Sequence, residues 1–64
     1  MITLRVNGVK ENEIKNLEQL PINLILVEDE LTITFDEQKV DMISLLGVLK
    51  RELGVEYENI NQVV

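Results

Sequence analysis

The hydrophobic period of this chain changes sharply between Leu31 and Leu53, and that change constrains the fold more than any other feature. Leu31, Ile33 and Phe35 alternate with Thr32 and Thr34, which is the period of a strand with one buried face. A few residues later Met42, Leu45, Leu46, Leu49 and Leu53 recur at helical spacing and make a broad apolar stripe. Asp41 stands where an N-cap accepts from the first unpaired amides. Lys50 and Arg51 sit where cations complement the end of the helix dipole, and Gly54 suits a helix stop. A half-buried strand and an amphipathic helix each need a second layer to cover the apolar side, so the segment asks for an α+β sandwich.

The rest of the chain supplies further strands. Ile2, Leu4 and Val6 alternate with Thr3, Arg5 and Asn7, and Asn7-Gly8 is a turn signal. Residues 10–20 carry Ile14, Leu17 and Leu20 among polar residues, a narrow stripe that predicts a short helix. Pro21 closes it, because the residue before a proline avoids the helical region. Ile22 to Val27 is a nearly unbroken apolar run, too short for a typical helix, and its β-branched content favours a strand. Glu28, Asp29 and Glu30 make a charged turn before the Leu31 strand, so the two strands are expected to pair as an antiparallel hairpin. No Asn-Gly or Asp-Gly marks that turn, which leaves its type open. Residues 55–64 are less defined, with Ile60, Val63 and Val64 as candidates for a last strand. The order βαββα(β) is most economically packed as a ferredoxin-like sandwich, an antiparallel sheet with two helices on one face. At 64 residues the chain makes one domain, 1–64, with no visible repeat or linker.

Composition removes several classes of function. Six basic residues against twelve acidic ones give a net charge of -6. A nucleic-acid partner needs a basic patch to neutralise phosphates, and an acidic surface repels a duplex and an anionic membrane alike. No apolar run approaches the length of a membrane span, and the alternating start lacks the regions of a signal peptide, so no membrane association is expected and the cytoplasm is the default compartment. With no cysteine and no histidine, neither a disulfide nor a Cys/His metal site can staple the domain. Stability has to come from tight aliphatic packing, from association between chains, or from both. Ser44 is the one serine, it lies off the core stripe, and no histidine exists to activate it. No catalytic residue is assigned, and no cofactor is expected.

Several stretches resemble heavy-metal-associated domains. Leu17-Glu18-Gln19-Leu20-Pro21 looks like the end of that family's first helix. Leu31 to Asp36 looks like its third strand and the aspartate after it. Lys39-Val40-Asp41 with Leu45-Leu46 looks like the following turn and second helix. The likeness covers about residues 17–57, mostly core and turn positions. It implies a ferredoxin-like fold. The family's functional motif is a Cys-x-x-Cys in the loop after the first strand, and the matching region here, Gly8 to Ile14, offers no thiolate and is shorter. The resemblance therefore implies the scaffold without the soft-metal chemistry.

What remains is an excess of apolar surface. If Ile22, Leu24 and Leu26 face the helices, Ile25 and Val27 point to the opposite face, together with Thr3, Arg5, Thr32 and Thr34. In a ferredoxin-like order this strand lies at a sheet edge, and an apolar edge invites pairing with another chain. Ile43 and Val48 likewise flank the core stripe of the second helix. The expected function is a small non-catalytic interaction module that binds a protein partner or self-associates as a homo-oligomer through Leu24, Ile25, Leu26 and Val27. The alternative is an accessory domain for a metal or small ligand held by oxygen atoms, with Glu11, Glu13 and Asp36 as the carboxylates to examine. The acidic clusters at 28–30 and 36–37 lack the spacing of a calcium loop and read as solvated turns.

Overall fold

Ile2–Val6, here β1, lies inside a four-stranded antiparallel sheet, between Glu30–Phe35 (β3) and Ile60–Val63 (β4). Asn23–Val27 (β2) pairs with the far side of β3, so the spatial order is β2-β3-β1-β4. One α-helix among the described residues, Met42–Leu53 (α1), connects β3 to the last part of the chain. The computed structural model describes residues 1–63. The protein is thus an α+β domain built on one antiparallel sheet.

The strands form where the period of two predicts them, and the register keeps that period in phase across the sheet. Leu4 opposes Ile33, and Ile33 opposes Leu24. Val6 opposes Leu31, and Leu31 opposes Leu26. A slip of one residue in any strand would turn these rows out to solvent. Leu4, Val6, Leu31, Ile33 and Phe35 are buried against Leu45, Leu46 and Leu49 of α1. The helix begins as its sequence predicts: the Asp41 carboxylate accepts from the Ser44 amide at 3.1 Å and from the Ser44 hydroxyl at 3.0 Å. It ends at Gly54, which takes the left-handed conformation at φ 67° and donates its amide to the Lys50 carbonyl at 2.9 Å.

One element departs from the expectation. No α-helix forms over residues 10–20; two short 3-10 turns, Glu11–Glu13 and Leu17–Gln19, occupy the stretch, so the sheet carries one α-helix where two were predicted. The reason lies in the spacing. Ile14, Leu17 and Leu20 are each three residues apart, which is one full turn of a 3-10 helix and aligns all three on a line. An α-helix would need apolar residues four apart to widen the stripe, and those positions are Glu18 and Pro21. The backbone follows the shorter period at the apolar positions: Leu17 donates to the Ile14 carbonyl at 3.0 Å and Leu20 to the Leu17 carbonyl at 3.1 Å, while the Glu18 amide is shared between the Ile14 carbonyl at 3.2 Å and the Lys15 carbonyl at 3.3 Å. Ile14 and Leu17 nonetheless enter the same core as α1, with Leu20 packed at its margin.

The C-terminal segment forms a 3-10 turn at Tyr57–Asn59 and then β4, which pairs antiparallel with β1 from Val6↔Ile60 to Thr3↔Val63. The predicted last strand is therefore present to Val63, while Val64, also proposed for it, lies outside the described residues.

Candidate functional site

The sheet has two unlike faces. The face turned to α1 is apolar across β2, β3 and β1, with the exposed Gln62 of β4 at its margin. On the other, cross-strand rows run Asn23, Thr34, Thr3, Val63 and Ile25, Thr32, Arg5, Asn61. This face is polar toward β1 and β3, where the Thr3 and Thr34 hydroxyls lie 3.4 Å apart and Arg5 Nε reaches Glu30 Oε1 at 3.7 Å. Both groups of that ion pair are about half exposed, so it adds little to stability.

The four predicted contact residues all fall on β2, and β2 is an edge strand. The alternation divides them. Leu24 and Leu26 are half-buried and pack against the core. Ile25 and Val27 remain 60% and 64% exposed on the open face. Along the outer side, alternate residues of β2 turn their amide and carbonyl groups away from β3. Proteins commonly blunt such an edge with lysine, proline or a bulge. Asn23–Val27 contains no charged residue and no proline, and its pairing with β3 runs without interruption from Asn23↔Thr34 to Val27↔Glu30.

The hairpin that presents β2 closes through Glu28 and Asp29 alone, because Glu30 already belongs to β3. Glu28 sits at φ 57°, in the left-handed region that glycine adopts at little cost. The Asp29 carbonyl accepts from the Val9 amide at 2.9 Å, so the tip is tied to the loop that leaves β1. Glu28→Gly relieves about 1–2 kcal/mol of left-handed strain and concedes up to about 1 kcal/mol of extra unfolded-chain entropy. The expected net result is a gain of about 0.5–1 kcal/mol, read as a higher urea midpoint with an unchanged slope.

The carboxylates considered for a cation do not gather. Glu13 Oε1 accepts from the Lys10 amide at 2.8 Å, within the first 3-10 turn. Asp36 Oδ1 accepts from the Gln38 amide at 2.9 Å in the turn after β3. Among the described residues no three acidic side chains converge as a metal-binding group. Among the described residues, a hollow of about 410 Å³ bounded by Asn7, Gly54, Val55, Glu58, Asn59 and Asn61 has Glu58 as its one acid or base. Ser44 spends its hydroxyl on the Asp41 cap.

A second apolar feature was only half visible in the sequence. Ile43, 74% exposed, and Tyr57, 66% exposed, flank a groove of about 310 Å³ between α1 and the segment before β4, floored by Leu46, Gly47, Val55 and Ile60. The sequence places Ile43 and Val48 together at the margin of the helix stripe; Val48 instead packs against the core. Gly47 has open space where a Cβ would stand. A glycine inside a helix was the available signal, since it lowers helix stability by about 1 kcal/mol relative to alanine.

No protein-family model matches the chain, and neither a curated protein nor a solved structure shows significant similarity to it. Among the described residues no helix is long and apolar enough to cross a membrane.

Proposed function

We propose that this is a ferredoxin-like domain, akin in scaffold to heavy-metal-associated domains, that acts without catalysis by adding a strand of another protein chain to the open edge of β2. The partner is a different protein or a second copy of this one, and the proposed setting is the cytoplasm. The strand order β2-β3-β1-β4 supports the scaffold, because interleaving two split βαβ units produces it. The 3-10 turns of residues 11–19 then stand in the place of the first crossover helix. The absence of cysteine and histidine from the sequence separates the protein from soft-metal transport.

One observation carries the functional reading: an edge strand free of charge and proline that holds Ile25 and Val27 mostly in solvent. Strand addition draws affinity from main-chain hydrogen bonds and specificity from alternate side chains. β2 offers both, with unpaired backbone along its rim and Ile25 and Val27 beside it. Affinity isolation with the wild type, Ile25→Lys, Val27→Lys and Ile43→Lys tests it. The expected result is a partner kept by the wild type and Ile43→Lys and lost by both β2 variants. Equal retention by all four proteins would remove the edge from the function.

A further inference from the structure

We infer that the chain which pairs with β2 is a second copy of this protein, bound antiparallel about a two-fold axis through Ile25; the inference rests on the edge-strand reading above. A two-fold interface must be self-complementary, so that residue i meets j and j meets i. Leu24-Ile25-Leu26 reads the same in both directions. Antiparallel pairing about Ile25 sets Leu24 against Leu26 of the second copy, Leu26 against its Leu24, and Ile25 against its Ile25. The sheet then continues through both copies with the two Ile25 side chains adjacent on the open face.

Charge selects this arrangement over the parallel one. Each copy carries a net charge of -6, and the nearest acidic groups on β2's hairpin are Glu28, Asp29 and Glu30. Parallel pairing would stack those acids on their own counterparts, which is destabilising. Antiparallel pairing brings Glu28 and Asp29 to Ile22 and Pro21 of the second copy instead. The cleft at that end of β2 is lined by Pro21, Ile22, Asn23, Lys39, Asp36 and Met1. It thus offers the incoming acids the Lys39 ammonium, alongside the Asp36 carboxylate. A contact made by one strand of five residues is smaller than the interfaces of permanent dimers, so the association depends on concentration.

Sedimentation equilibrium from micromolar to millimolar protein reads the mass directly. The expected mass rises with concentration from 7.4 kDa toward twice that value. Ile25→Lys and Ile25→Glu each place like charges across the axis and stay monomeric, while an equimolar mixture of the two regains the doubled mass. Ile43→Lys dimerises like the wild type, and circular dichroism with urea midpoints establishes that all variants are folded. A wild type that doubles in mass while the mixed variants stay monomeric overturns the two-fold pairing at Ile25. A doubling that Ile25→Lys leaves untouched overturns both this pairing and the use of the β2 edge between copies. A wild type that stays monomeric throughout overturns the second copy alone, and the edge reading is then decided by whether the β2 variants lose a different retained protein.

Discussion

Leu17→Ala is expected to lower the stability of the fold by about 3 kcal/mol. Leu17 is fully buried although it belongs to a 3-10 turn and not to a regular element. It shares the core with Leu4, Ile33, Phe35 and Leu49, so removing it opens a cavity beneath both the sheet and α1. Truncating a buried leucine loses transfer energy and leaves space that its neighbours fill only in part, for about 2–5 kcal/mol in total. Marginal stability of roughly 0.05–0.15 kcal/mol per residue makes that a large share for a chain of this size. Urea denaturation followed by circular dichroism should show the midpoint fall steeply, with a sizeable unfolded fraction before any urea is added. A loss below about 1 kcal/mol, as for an ordinary surface position, would mean that residues 11–19 are a loop laid over the core and not part of it.

Gly8→Val is expected to cost about 2 kcal/mol, the upper end of the left-handed penalty, because branching at Cβ crowds that conformation further. Gly8 sits at φ 77°, and a Cβ built there meets nothing within 4 Å. The penalty is therefore wholly a backbone one. That turn delivers Val9 into the core and sets its amide on the Asp29 carbonyl. Gly8→Asn is the informative partner, since asparagine tolerates the left-handed region far better. Thermal unfolding should rank wild type above Gly8→Asn and Gly8→Asn above Gly8→Val. Equal losses for the two variants would point to a lost contact in place of backbone strain.

The sequence is legible where burial repeats with a clear period. The strands around Leu4 and Ile33, and the stripe Leu45, Leu46, Leu49, each supply enough apolar positions to fix both element type and inward face. Ile14, Leu17 and Leu20 do not, because a spacing of three belongs to an α-helix face and to a 3-10 line alike. Only the polar residue and the proline four positions on separate the two. The hairpin tip is illegible for a different reason: Glu28 has no local preference for positive φ, and the pairs Leu26↔Leu31 and Val27↔Glu30 impose it. At the candidate site, alternation places Ile25 and Val27 correctly on the open face, because a strand's side chains follow from its period alone. The groove beside Ile43 escapes the same reasoning, since it exists only once Tyr57–Asn59 folds back beside α1.

The interior position of β1 also sets the order in which the molecule can be assembled. β1 precedes every other strand in the chain, yet its partners are β3 and β4, and Thr3 meets Val63 across the second pairing. Closing such distant pairs requires ordering most of the chain before the contacts repay it, which slows folding relative to locally connected domains. The β2–β3 hairpin is the one strand pair that can form early, being joined by two residues. Until Ile60–Val63 arrives, β1 shows a bare edge as open as that of β2. A nascent or truncated chain ending before Ile60 therefore exposes the rim of β1 in place of the short polar β4 that edges the finished sheet, and is more prone to aggregate than the finished domain.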